Sequence, residues 1–473
     1  MVCAVPGNLE RLFNPRSVAV VGASSQPEKA GNVILRQLIG GTFRIYPVNP
    51  NRHDLLGLLC YPSVGALPEK VDVAILSVTA QATLQAVREC VQAEIPFVIS
   101  VAGGFSEMGD EGKIVQTGIA EAVRGTETRL LGPNTMGVMV PGRRFDTFFL
   151  PRERSPRPKD GSISIISQSG SVLVGMYEVA EDHGVGLRSC VGVGNKADLN
   201  ENDFLEYLAH DHGTKCIGMY IESFADGQAF LDLAKEVSRK KPIVAVKVGT
   251  TPSGARAAAS HTGAIATSSD GLVSGVFKQA GVQRVADDFE LLDAAKALAH
   301  IGHVKGDRIA IVGSAGGFGV IATDYVASKT KGFGLSMAIL GEETKKRLRE
   351  KVPPFASVEN PVDLTGVVTD QMYHEVIELV QAEESVDAIL LNLLFQPPGM
   401  TVGVVDVVER WARKGRTPMV VCCVGGTFPR PILRRLEEKG VPTYTTMRRA
   451  VFALRCLYER GQLLRRIENE GAD

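Results

Sequence analysis

The segment "SGARAAASHTGAIATSSDG", from Ser253 to Gly271, places one imidazole, His261, among Ala, Gly, Ser and Thr. Most histidines in a chain of this size are surface or satisfied core groups. Here the neighbours have little bulk, so the segment, read as a loop, leaves a phosphoryl group room to approach the ring, and "HTG" adds hydroxyl and backbone donors. Such chemistry needs a neutral ring, with one nitrogen attacking and the other held by an acceptor. "MYIESF" offers one, because Glu222 follows an apolar strand, where open parallel sheets present functional groups. Taken alone, Glu222 is a solvated loop carboxylate. It gains meaning only beside His261.

"SQSGS" (Ser167 to Ser171) lies between a strand and a helical stretch. Helix N-termini carry unpaired N–H groups and about half a positive charge, so Ser169, Gly170 and Ser171 could receive a phosphate. Plain N-capping explains the same residues. A serine-hydrolase elbow at Ser169 lacks the leading Gly of G-x-S-x-G, because Ser167 stands there.

"VVGASS" holds the place of a Rossmann phosphate loop but departs from G-x-G-x-x-G at Ser24. The next strand ends in "IYPVNPN", with Pro47 and Asn49 instead of the acid that binds a nicotinamide ribose. Lys29, Arg52 and His53 are near in sequence and suit a nucleotide with an extra ribose phosphate, so coenzyme A fits better than NAD. A tight turn without a ligand is the bland alternative. "GSAGGFG" (Gly313 to Gly319) lacks the Lys of a P-loop and suits close packing of strand on helix.

These groups need strand ends to position them, and the chain supplies three sets. Short apolar strands, small-residue turns and helical stretches alternate throughout, the pattern of parallel α/β sheets. The expected domains are residues 1–145, 146–303 and 304–473, with the Pro- and charge-rich "LPRERSPRPKDGS" as a surface linker after the first. At 473 residues the chain exceeds one ordinary core of ~150 residues. Its 44% hydrophobic and 22% charged content excludes disorder, collagen and coiled coil.

With 52 Lys plus Arg against 53 Asp plus Glu, the charge of -1 gives no electrostatic case for nucleic acid or an acidic membrane. No apolar run approaches the ~20 residues of a membrane span, and "MVCAVPGNLERLFNPRS" lacks signal-peptide character, so a cytoplasmic location is expected. The 8 cysteines lack CxxC spacing and no HExxH occurs, which argues against disulfides and a metal site.

In their order along the chain, "VAVVGASS", "LGPNTMG", "SQSGS", "IES" and "SHTGA" resemble the nucleoside-diphosphate-forming acyl-CoA synthetases, relatives of the succinyl-CoA synthetase α subunit. "AGGFGV" and "ENPVDLTG" add a likeness to the α subunit of ADP-forming acetate:CoA ligases, and the resemblance covers nearly the whole chain. It implies a Rossmann-like CoA-binding domain followed by two flavodoxin-like domains. Gly22, Ala23, Ser24 and Ser25 match the loop holding the CoA diphosphate, and Lys29, Asn49, Ser77 and Val78 match further CoA contacts.

By the same resemblance, Gly103, Phe105 and Asn134 fall where thiol meets acyl phosphate, His261 matches the phosphorylated histidine, Glu222 its orienting carboxylate, and Ser169, Gly170 and Ser171 the phosphate-receiving helix terminus. Thr135 departs from the Cys of many relatives, which bears on substrate fit. The implied reaction interconverts acyl-CoA, ADP and phosphate with acid, CoA and ATP through acyl phosphate and phosphohistidine. The chain has no recognisable ATP site, so the resemblance implies an ATP-grasp β subunit carrying ATP or ADP and Mg²⁺, in an assembly such as α2β2. Two other functions compete: a non-catalytic CoA or acyl-CoA sensor, which has no use for His261 with Glu222, and a nicotinamide oxidoreductase, which conflicts with the missing acid. The organic acid and the choice of ADP or GDP stay open.

Overall fold

The computed structural model describes residues 9–262, 270–328, 330 and 333–470, with the side chains of 259–262 outside it. The chain divides into two compact units, Met1–Glu181 with Gly186–Asp288, and Asp182–Val185 with Phe289–Asp473. The first unit holds two large sheets and a two-stranded ribbon, Asp54–Leu55 with Leu58–Leu59, and the second holds one large sheet.

The first sheet is built from β1 (Ser17–Val21), β2 (Arg44–Val48), β3 (Val73–Leu76), β4 (Phe97–Ser100) and β5 (Arg129–Leu131). All pairs are parallel, and the order is β2-β1-β3-β4-β5. β1, β3 and β4 are buried along their whole length, as expected where helices cover both faces of a parallel sheet. Helix α1 (Ala30–Leu38) follows the loop after β1.

The second sheet begins with two short strands, β6 (Val138–Val140) and β7 (Phe145–Asp146), which pair antiparallel at its edge. Its parallel strands are β8 (Asp160–Ser167), β9 (Leu187–Gly192), β10 (Cys216–Ile221), β11 (Ile243–Lys247) and β12 (Gln283–Val285). They lie in the order β12-β11-β10-β8-β9. Helix α2 (Gly170–His183) follows β8, and α3 (Pro252–Thr262) follows β11.

The second unit's sheet contains β13 (Arg308–Gly313), β14 (Ser336–Met337), β15 (Val362–Asp363), β16 (Ala388–Leu393), β17 (Met419–Cys423) and β18 (Thr443–Tyr444). The order is β14-β13-β16-β17-β18, with β15 pairing β13 off this path. Counting the main strands of each sheet in chain order, all three sheets read 2-1-3-4-5. This is the doubly wound order whose switch point lies between the first and third strands, where the carboxyl ends open a crevice.

Two expectations change. Residues 252–262 form a helix where a loop was expected. Pro252 begins it, the Thr251 hydroxyl accepts from the Gly254 amide at 3.0 Å, and Ala255, Ala257, Ala258 and Ala259 are the best helix formers. Small side chains were thus a helix signal. The "LPRERSPRPKDGS" stretch is also more than a surface linker, because the Arg157 side chain is buried. Its guanidinium meets Asp146 Oδ2 at 3.0 Å, donates to Gln37 Oε1 at 2.9 Å and covers the Tyr177 ring. Asp146 is itself buried and needs that cation.

The seven cysteines from Cys60 to Cys456 are buried thiols; Cys3 lies outside the described residues. Among the described residues no helix is long and apolar enough to cross a membrane.

Candidate active site

The chemistry-bearing residues of the first unit gather at the two switch points. In the first sheet, β1 runs into Gly22, whose φ of +86° suits glycine and whose added Cβ would stand 2.3 Å from the Ser77 carbonyl oxygen. Ser77 follows β3, so the turn after β1 touches the end of the third strand directly. Asn49, beyond β2, donates to the Ala23 carbonyl at 2.7 Å, and Asn32 donates to the Ser24 carbonyl at 2.8 Å. With those carbonyls held, the amides of Ala23, Ser24 and Ser25 have no acceptor among the described residues. Three successive free amides beside a helix N-terminus are chemically suited to a diphosphate. Lys29 stands exposed at the N-cap of α1.

The departure from G-x-G-x-x-G has a structural answer in Gly31. A Cβ there would meet the Gly22 carbonyl oxygen at 2.2 Å, so the glycine that permits close packing of helix on turn sits later than the motif places it.

The loops after β4 and β5 bring Gly103 and Asn134 together, with a Cβ on Gly103 3.3 Å from Asn134 Oδ1. Phe105 does not join them; its ring is wholly buried in the hydrophobic core with Ile119 and Val98. Thr135 is buried too, with its hydroxyl donating to the Gly192 carbonyl and accepting from the Gly137 amide at 2.8 Å. It serves the backbone at the seam of the two sheets. Asn134 donates to Asn195 Oδ1 at 3.3 Å, and Asn195 Nδ2 reaches Glu107 Oε2 at 2.7 Å. Burial pushes the Glu107 carboxyl up, but bonds from Asn195 and from the Gly104 and Phe105 amides outweigh it and hold Glu107 below the ordinary carboxylate value.

At the second switch point, "SQSGS" begins at the last residue of β8, and Glu222 directly follows β10, its neighbour in the sheet. Ser169 Oγ lies 3.1 Å from Ser171 Oγ and accepts from the Val172 amide at 3.4 Å, so it caps α2 while the amides of Gly170 and Ser171 remain at the open helix end. A Cβ on Gly170 would press on Met136 Cγ at 2.9 Å, which explains the glycine. Glu222 is 3% exposed, so the solvated carboxylate expected for it in isolation is not what the fold builds.

A cage of side chains that sequence reasoning passed over grips the turn at Glu222. Gln168 Oε1 accepts from the Glu222 and Ser223 amides, both at 3.0 Å. Lys196 Nζ donates to the Ser223 carbonyl at 2.7 Å and pairs with Glu201 at 3.0 Å. Lys247 Nζ donates to the Glu222 carbonyl at 2.8 Å. All four backbone polar groups of the dipeptide are therefore satisfied by side chains from three other strand ends. A visible signal existed for Lys247, a lone charge inside the apolar strand "IVAVK". His261 falls in α3, and its imidazole lies outside the described residues.

Comparison with family models places this chain in the class of succinyl-CoA ligase-like proteins. In chain order, family models match for a CoA binding domain over residues 16–141, a succinyl-CoA ligase like flavodoxin domain over 160–298 and a Ligase-CoA domain over 309–463. The acetate–CoA ligase (ADP-forming) I subunit alpha of Pyrococcus furiosus is 37% identical, over 96% of this chain and 97% of that one. The acetate–CoA ligase (ADP-forming) I of Archaeoglobus fulgidus is 35% identical over 95% of this chain, which spans only 63% of that longer relative. Among solved structures, the Ca. Korarchaeum cryptofilum dinucleotide forming acetyl-coenzyme A synthetase 1, in complex with phosphate and ADP, matches with a TM-score of 0.88 and 34% identity over 98% of both chains. The chain belongs to the family of ADP-forming acetate–CoA ligase α subunits.

Proposed function

We propose that the chain is the α subunit of an ADP-forming acyl-CoA synthetase for acetate or another short acid. It converts acyl-CoA, phosphate and ADP to acid, CoA and ATP, reversibly, through an acyl phosphate and a phosphohistidine. The observation that carries this is the second switch point: a buried carboxylate, Glu222, and an open helix N-terminus at Ser169–Ser171 share one crevice, and the helix after the next strand carries His261.

In this reading the CoA diphosphate rests on the amides from Gly22 to Ser25, with Lys29, Asn49, Ser77 and Val78 along the rest of the nucleotide and pantetheine. Phosphate attacks the acyl carbonyl near Gly103 and Asn134, the thiolate leaves, and an acyl phosphate remains. The neutral imidazole of His261 then attacks phosphorus and the carboxylate leaves. Glu222 accepts a hydrogen bond from the proton-bearing ring nitrogen, keeps the attacking one free, and offsets the cation that forms. Ser169, Gly170 and Ser171 hold the phosphate by positioning and electrostatics.

Phospho-His261 passes its group to ADP on an ATP-grasp β subunit, which holds Mg²⁺, in an α2β2 assembly in the cytoplasm. The three proposed domains divide the work as CoA binding over residues 1–145, phosphohistidine chemistry over 146–303, and a second flavodoxin-like domain over 304–473.

Incubation of the chain and its β subunit with labelled ATP and Mg²⁺ tests this. Acid-labile, base-stable label is expected on this chain and is absent in His261→Ala. Label that persists in the variant sinks the role of His261; CoA binding without any label on the wild type supports a sensing module instead.

A further inference from the structure

Lys247 is the last residue of β11, and His261 lies fourteen positions further along the chain. The four residues before it, Ile243 to Val246, are apolar and buried. Lys247 is just 5% exposed, yet no carboxylate lies within ion-pairing distance of it among the described residues. Its Nζ donates instead to two carbonyls, Glu222 at 2.8 Å and Val248 at 2.5 Å.

The strand pair does not need this bond for its register. Ile221 already pairs with Lys247, and the Val248 amide donates to the Ile221 carbonyl at 3.1 Å. An apolar side chain would complete β11 without burying a charge, which is costly unless paired. The charged groups whose fields reach the ammonium are Arg284, Glu222, Lys196 and Asp270, and of these Glu222 and Lys196 belong to the turn of the candidate site. One ammonium therefore fastens the residue that carries the carboxylate to the first step of the path towards His261.

We propose that Lys247 is a positioning residue for phosphoryl transfer, fixing the backbone of Glu222 and the exit of β11 so that carboxylate and imidazole keep one register. The inference rests on the phosphohistidine reading above. Lys247 touches no reacting atom; it acts through Glu222.

The test uses the full chain assembled with its β subunit, labelled ATP and Mg²⁺, and measures the rate of His261 labelling. Lys247→Met is expected to slow labelling about tenfold or more, and Lys247→Arg, which keeps charge and donors, to recover most of it. In a Glu222→Gln background the Met substitution adds less than about twofold, because residues acting as one unit are not additive. CoA affinity, measured at the first sheet, stays at the wild-type value and shows that the unit is folded. Should Lys247→Met lose it, Lys247→Gln removes the charge and retains a donor.

Labelling at the wild-type rate in the Met and Gln variants overturns the proposal, as does a defect that multiplies fully with Glu222→Gln, which marks a merely structural role. A wild-type chain that takes no label, or a Glu222→Gln variant that labels normally, overturns the phosphohistidine reading, and this inference with it.

Discussion

At the switch point between β8 and β10 of the second sheet, three ionisable side chains, Lys247 and the pair Lys196 with Glu201, surround the dipeptide that carries the buried Glu222 carboxylate. Between β13 and β16 of the third sheet, the same strand order is closed differently. The Tyr373 hydroxyl donates to the Asn392 carbonyl at 2.7 Å and lies 3.0 Å from Ser314 Oγ, and Asn392 Nδ2 donates to the Ala315 carbonyl at 3.1 Å. The carboxylate there, Asp363, accepts from the Thr365 amide at 2.9 Å, and no lysine or arginine pairs with it among the described residues. Two crevices of one topology thus differ in cations. A shared fold supplies the opening, and the side chains at the strand ends decide whether an inner carboxylate can be held there.

The strongest way to break this comparison is to exchange the inner residues. Glu222→Gln keeps size and hydrogen bonding but removes the charge that orients and offsets the imidazole, so labelling of His261 should fall by about 10² or more with little change in stability. Asn392→Asp does the reverse. It buries a charge with no cation paired to it among the described residues, and should destabilise the second unit by about 3 kcal/mol, read from urea unfolding. If both variants behave alike, the lysines do not distinguish the sites.

The first sheet offers a third switch point, held by backbone instead of charge. Gly22→Ala would set a methyl 2.3 Å from the Ser77 oxygen at a φ of +86°. The substitution should cost about 1–3 kcal/mol. CoA affinity should drop about tenfold or more as the Ala23–Ser25 amides shift, measured by calorimetry. Unchanged affinity would remove the turn from the CoA site.

How much of this was legible varies with the range of the interaction. The α/β class was visible because every buried strand is a short apolar run before small residues, as in "SVAVV" and "MVVCC". Ser169 and Glu222 could be picked out because each stands at the end of such a run. The cage could not, since Gln168, Lys196 and Lys247 leave three different strands and meet only through the sheet order, which no local pattern encodes. Around His261 the error had another origin: low bulk was taken for looseness, although alanine is the residue most content in a helix. The inward turn of the Phe105 ring was illegible for a third reason, because a motif position says where a backbone passes and not which way a ring turns.

The smallest expected effect concerns the seam of the first two sheets, where Glu107 meets Asn195. Its carboxyl is held below the ordinary value of 4.5 by bonds that outweigh its burial. A depressed carboxylate contributes stability that is fully present above its unfolded value and is lost as pH falls through the lower folded value. Glu107→Gln keeps the acceptor for the Gly104 and Phe105 amides and loses the charge, so at neutral pH it should destabilise by less than about 1 kcal/mol. The gap from wild type should narrow on acidification, as the wild-type carboxylate takes up its proton. Unfolding curves of both proteins, taken from neutrality down through the carboxylate range, measure this directly. A gap that widens at low pH would mean that burial, and not the Asn195 contact, governs Glu107, and the seam would then depend on its cation-free burial as the third sheet's crevice does, more than on pairing as the second sheet's does.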